Sequence, residues 1–175
     1  MKNSGLPEDF YPLKFASAEK ELQGQVSLSQ FQRLLPLLGN SEGDCHFVCS
    51  GRLDMAKKPV IDLTLKADLM VTCQTCLEDL AFPVDQKITI YPVYNEAQAE
   101  NIDRDSEIAL IDDEGKLDLL SYIEDELILC LPVAPKHEED CLPIDQLSSA
   151  DTEITEQKEE RKNPFAVLES LKKSK

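Results

Sequence analysis

From Ile61 to Val71 every odd position is apolar, through Leu63, Leu65, Ala67 and Leu69, while Asp62, Thr64, Lys66 and Asp68 stand between them. A period of two puts successive side chains on opposite faces of an extended chain, so this run buries its apolar set as a strand and would scatter it around a helix. It also fixes the register, because a slip of one residue would turn the whole apolar set to water. The flanking segments follow the same code. Cys45, Phe47, Cys49, Gly51, Leu53 and Met55 alternate with Asp44, His46, Ser50, Arg52 and Asp54, which turns Cys45 and Cys49 inward as small core hydrophobes. Leu80, Phe82, Val84, Ile88 and Ile90 stand opposite Asp85, Lys87 and Thr89. Three antiparallel strands follow, with Cys73 and Cys76 in the connection between the second and third.

Around this meander the pattern changes to helical. Leu117, Leu119, Leu120, Ile123, Leu127, Ile128 and Leu131 form a broad apolar face, closed by Pro132 and Pro135, which predicts the main helix over the sheet. Glu124, Asp125 and Glu126 read as its solvated side, since consecutive helix residues point in different directions. Leu22, Gly24 and Val26 suggest a short strand, and Ser27 with Gln30 resembles a capping box ahead of Leu28, Phe31, Leu34, Leu35 and Leu38, predicting a helix of about three turns that Pro36 shortens or kinks. Ile108 to Ile111 add a short strand. The fold class expected is α+β: an antiparallel β-meander or partly open barrel covered by one or two helices. The domain boundaries expected are an irregular lead-in at 1–20, a single core at 21–135, an acidic flexible segment at 136–162, and a short amphipathic helix at 163–175.

That last segment, with Asn163 as a cap, Pro164 in the first turn and Phe165, Val167, Leu168 and Leu171 on one face, ends in Lys172, Lys173 and Lys175, where cations suit the helix dipole. Folding back on the protein's own core and docking on a partner both fit this pattern. Phe165, Leu168, Leu171, Lys172 and Lys173 are the residues expected to meet such a partner.

The chain of 175 residues has 34 acidic and 18 basic side chains, a net charge of −16. Between Glu96 and Glu160 the count is 21 acidic to 4 basic, so the rest of the chain is close to neutral. Such a charge repels nucleic acid and favours solubility or a basic partner, although Arg52, Lys57, Lys58, Lys66 and the terminal lysines offer a modest basic patch. No apolar run approaches the roughly 18 residues of a membrane span, and no basic start, apolar stretch and cleavage site mark a leader. A cytoplasmic protein without a membrane role is expected. The glycines are scattered, with no phosphate-binding loop, and His46 and His137 come without the partner pattern of a nucleophilic site. No catalytic residues and no small-molecule substrate are expected.

Cys73-x-x-Cys76 is the one spacing with chemistry of its own, because two thiols on a tight turn can share a tetrahedral zinc ion. A redox pair would instead open a helix in a βαβ unit. His137 and Cys141, four apart beyond the main helix, are the candidate remaining ligands. The plainer alternative leaves Cys73 and Cys76 as solvent-facing reduced thiols, since the stretch around His137 and Cys141 otherwise reads as acidic linker.

The tail NPFAVLESLKK, the VTCQTC turn followed by LEDLAFPV, and the helix DLLSYIEDELILCLPVAPKH together resemble the YceD family of large ribosomal RNA subunit accumulation proteins. The likeness runs from about Glu21 to the C-terminus. It implies a bacterial, cytosolic protein associated with the synthesis, processing or stability of 23S ribosomal RNA, with no catalytic residues to carry over. Many members of that family have a second group of cysteines where this chain has His137 and Cys141. The expectation is a non-enzymatic ribosome-biogenesis factor that binds a basic ribosomal protein or a pre-50S particle. The alternatives are a module contacting 23S precursor RNA through Arg52, Lys57, Lys58 and the tail lysines, or a small zinc-binding structural protein.

Overall fold

The alternating runs become strands in the register their pattern demands. In the computed structural model, which describes residues 5–100, 102, 106–138 and 141, five strands lie side by side in chain order: β1 (Glu21–Ser27), β2 (Asp44–Leu53), β3 (Pro59–Thr72), β4 (Asp79–Val93) and β5 (Glu107–Leu110). The first four pair antiparallel, and β5 runs parallel to β4. The sheet is open, with β1 and β5 at its edges, so the architecture is α+β in its meander form. Among the described residues no helix is long and apolar enough to cross a membrane.

Pairing Leu63 with Cys49 and with Ile88 stacks the inward residues of three strands into one layer. Phe47, Leu63, Leu65, Leu69 and Ile90 are buried there together with Phe31, Leu34, Ile123 and Leu127. Each such side chain contributes roughly 1.5–3 kcal/mol by leaving water. The opposite face is polar and paired across strands: Lys66 faces Asp85 at 3.1 Å, and Arg52 and Thr89 both donate to Asp62.

Helix α1 (Pro12–Ser17) forms within the stretch 1–20 expected to be irregular throughout. Pro12 sits in its first turn, where a missing N–H costs nothing, and Ala16 is fully buried. Gly51 lets the helix approach β2: a Cβ there would lie 2.7 Å from the Cα of Ala16. The three-turn helix expected after Ser27 is absent as well. Two 3-10 turns, Leu28–Gln30 and Leu35–Leu37, stand in its place, and Ser27 makes no side-chain cap. Pro36 falls within the second turn, and the buried Leu28, Phe31 and Leu34 are satisfied by a looped path over the sheet.

A short helix α2 (Glu96–Ala99) precedes β5, capped by Asn95. Helix α3 (Leu119–Cys130) begins at Asp118, whose carboxylate accepts the N–H of Ser121 at 3.0 Å, and ends one residue before Leu131, itself followed by Pro132. Glu124 and Glu126 do not form the solvated side expected of them; both are buried. Residues 163–175, including Phe165, Leu168, Leu171, Lys172 and Lys173, lie outside the described residues, as does nearly all of 136–162.

Candidate metal centre

The connection from β3 to β4 is a tight knuckle. Leu77 N–H donates to Cys73 O and Cys73 N–H to Glu78 O, both at 2.9 Å, and Leu77 takes up the left-handed backbone at φ 63°. Such a φ is uncommon for a branched apolar residue, and here the Leu77 side chain is left 73% exposed. The knuckle turns both thiols to one side and brings the Thr75 N–H to 3.4 Å from Cys73 Sγ.

The other half of the site comes from beyond α3. Pro135 O accepts the N–H of Gln74 at 2.8 Å, tying the segment after Pro132 to the knuckle by backbone alone. That tie carries His137 Nδ1 to 3.5 Å from Cys76 Sγ and Cys141 Sγ to 3.8 Å from Cys73 Sγ. The ligand atoms of Cys73, Cys76, His137 and Cys141 all lie within 4.8 Å of one another. Sulfur and nitrogen ligands at about 2.3 and 2.1 Å from a tetrahedral ion stand about 3.8 Å (sulfur to sulfur) and about 3.6 Å (sulfur to nitrogen) apart. The two observed separations match these edges, and the thiols are well beyond disulfide distance.

The electrostatics suit a cation. The Cys73 thiol is held well below its ordinary range, first by the N–H of Cys76 and then by those of Thr75 and His137, against the opposing effect of burial. Cys141 is pushed up by burial and by the sulfurs of Cys76 and Cys73. A bound cation would draw both toward the thiolate form in which they ligate. Three sulfurs and an imidazole select a borderline-soft ion over magnesium or calcium.

Cys73 is fully buried, not solvent-facing, and Cys76 and Cys141 are half-buried. The structure therefore brings together all four residues that the spacing singled out. It treats the basic patch differently: Arg52 is engaged by Asp62 and Lys66 by Asp85, while Lys57 lies in the turn between β2 and β3. Cys45 and Cys49 are buried in the core, and burial pushes both thiols up to about 12.

One cluster went unforeseen. The guanidinium of Arg33 reaches Glu124, Asp125 and Ser121 together, fastening the loop after β1 to α3. The signal was an arginine set among Phe31, Leu34 and Leu35, where a lone charge needs a partner.

A family model for the large ribosomal RNA subunit accumulation protein YceD matches residues 61–172. The chain is similar to the large ribosomal RNA subunit accumulation protein YceD of Haemophilus influenzae (strain ATCC 51907 / DSM 11121 / KW20 / Rd), with 29% identity over 172 residues covering 98% of this chain and 99% of that protein. No solved structure matches the chain.

Proposed function

The chain belongs to the YceD family of large ribosomal RNA subunit accumulation proteins, and from that premise we propose that it supports 23S ribosomal RNA synthesis, processing or stability by binding and not by catalysis. In this reading Cys73, Cys76, His137 and Cys141 hold a zinc ion that fastens the segment after α3 to the β3–β4 knuckle. The observation that carries the reading is the closed donor set. Four protein ligands leave an ion no position for water or substrate, which is the arrangement of structural zinc and not of catalytic zinc.

The partner fits the charge. A chain with net charge −16 is matched by the basic ribosomal proteins of an assembling particle and repelled by bare RNA. The pairing of Arg52 with Asp62 weakens the alternative in which Arg52, Lys57, Lys58 and the tail lysines track phosphates. The protein would work in the cytoplasm, where large subunits mature.

Affinity capture of the tagged protein from growing bacteria, with and without nuclease, tests the reading. Co-purification of large-subunit ribosomal proteins that survives nuclease supports it. Loss of every ribosomal partner on digestion supports direct RNA contact instead. Turnover of RNA by the purified protein, abolished by one substitution within residues 21–135, would sink the non-enzymatic reading.

A further inference from the structure

The open edge at β5 differs from the edge at β1. Gly5 lies against Gly24 of β1, close enough that a Cβ on Gly24 would stand 3.3 Å from the Cα of Gly5. Beyond β5 no further strand lies among the described residues. The backbone there has a definite polarity. Ile111 N–H donates to Val93 O at 2.9 Å, and the parallel register pairs Val93 with Leu110, so Glu107, Ala109 and Ile111 direct their amides toward β4. Ile108 and Leu110 therefore present their N–H and C=O groups outward.

Their side chains are presented as well: Ile108 is 37% exposed and Leu110 is 57% exposed, next to a groove of about 610 Å³ that runs between β5 and α3. Leu117, Ser121 and Tyr122 form the groove's far wall, with Asp112, Asp118 and Asp125 along it. Its one ammonium, Lys116, is engaged by Asp9. Across residues 107–126 the chain has eight acidic side chains and one basic. Soluble proteins blunt a free strand edge with a short strand, charged side chains or proline; this four-residue edge has no lysine or proline, and the charges beside it are carboxylates, which favour a cationic partner strand.

We infer that β5 is a docking edge for an extended, lysine- and arginine-rich segment of a partner protein, which adds a strand beside Ile108 and Leu110. Main-chain hydrogen bonds to the outward amides supply the pairing, alternate apolar side chains of the partner enter the groove beside Tyr122, and its basic side chains meet the carboxylates. This deepens the partner assigned under the proposed function and rests on that reading for its biological meaning. The edge itself is tested without it.

The test uses the full chain and a synthetic peptide, acetyl-Lys-Val-Lys-Val-Arg-Val-Lys-Tyr amide, followed by fluorescence anisotropy and hydrogen exchange. Two controls are the same peptide N-methylated at every second residue, in each of the two phases, and a peptide with Glu for every Lys and Arg. The expected result is binding that slows exchange at Ile108 and Leu110 and weakens with salt. One N-methylated phase and the acidic peptide should bind at least about tenfold more weakly, and Leu110→Pro should match that loss. Because the N-methylated peptides leave the protein intact, the result stands even if Leu110→Pro fails to fold.

Equal binding by both N-methylated phases, or protection at β1 in place of β5, would overturn the inference. So would concentration-dependent protection of Ile108 and Leu110 without peptide, which would make a second copy of this chain the occupant, or stronger binding of oligouridine than of the basic peptide. Particle capture separates the two claims. A Leu110→Pro protein that folds and still captures particles, with no peptide effect at the edge, removes the edge and leaves the family reading standing. Peptide binding at β5 by a protein that captures no particle does the reverse.

Discussion

Arg33 and Glu124, 91 positions apart, are joined twice: the backbone N–H of Arg33 donates to Glu124 Oε1 at 2.5 Å and its guanidinium to Oε2 at 3.0 Å. Leu34 N–H adds a third bond to the same carboxylate at 3.1 Å. A helix residue thereby closes two amides of a loop that no strand could satisfy. Burial would raise the acid, and the N–H groups of Leu34 and Arg33 with the Arg33 guanidinium outweigh it, so Glu124 lies below the usual carboxylate range.

Replacing Glu124 should therefore destabilise the fold by about 2–4 kcal/mol, Ala more than Gln, because the buried Leu34 amide, the partly buried Arg33 amide and a guanidinium lose their acceptor. The sign with pH follows from a lowered folded pKa. The contribution is complete above the unfolded carboxylate value and disappears as pH falls through the folded one. Urea unfolding at neutral and acid pH should show a wide gap between wild type and Glu124→Gln that narrows on acidification. A gap independent of pH would mean that the carboxylate charge is not what matters.

Zinc is expected at one equivalent per chain in protein purified without added metal. Elemental analysis measures it, and less than about one tenth of an equivalent would retire the site, given the affinity of thiolate ligands. A strong chelator should lower the melting temperature, and Cys73→Ser should do so without chelator and make the protein insensitive to it. Cobalt substitution should give the visible bands of a tetrahedral thiolate complex in wild type and lose them in Cys76→Ser.

The strands and α3 were legible because each announces itself by period. Ile61 to Val71 could satisfy its apolar face only as a strand, and the pairing of Leu63 with Cys49 and Ile88 is what that phase implies. Helix α1 was not legible: six residues are too few for a periodic signal, and what holds them is the gap at Gly51, a tertiary fact. The Ser27 and Gln30 spacing misled because local capping yields when Pro36 and the buried Leu28, Phe31 and Leu34 favour a loop. For the metal centre, residue types and spacing named all four side chains. Their convergence depends on the hydrogen bond from Gln74 to Pro135 O, which no pattern in one segment encodes.

Gly51→Ala should cost about 1–3 kcal/mol, the range for forcing extra volume into a packed interior. The new methyl would stand 2.7 Å from Ala16 Cα and 2.8 Å from Phe15 O, and backbone cannot swing aside as a side-chain tip can. Thermal unfolding measures the loss. Slower native-state exchange in α1, or no change in stability, would show that the helix does not rest on Gly51.

Deleting residues 163–175 removes Phe165, Leu168, Leu171, Lys172 and Lys173 in one step. If the segment serves a partner, the melting temperature should stay within about 2 °C of wild type, equivalent to about 0.5–1 kcal/mol for a chain of this size. Capture of particles should weaken over the same deletion. A large fall in melting temperature with capture intact would instead place the segment's apolar face on the protein itself.

Thiol labelling separates the cysteines by their surroundings. Burial raises Cys45 and Cys49 to about 12, so at pH 8 both stay as thiols, and their sulfurs are closed to reagent besides. Iodoacetamide followed by mass spectrometry should leave both unmodified in folded protein and modify them fully in urea. Chelation should open Cys73, Cys76 and Cys141 to the reagent while Cys45 and Cys49 stay closed, since in the proposed reading an ion would join the first three, whereas the sheet encloses the last two. Labelling of Cys45 or Cys49 at the rate of the knuckle thiols would show that the core layer opens along with the metal centre, and the ion would then be holding the sheet itself and not only the segment after α3.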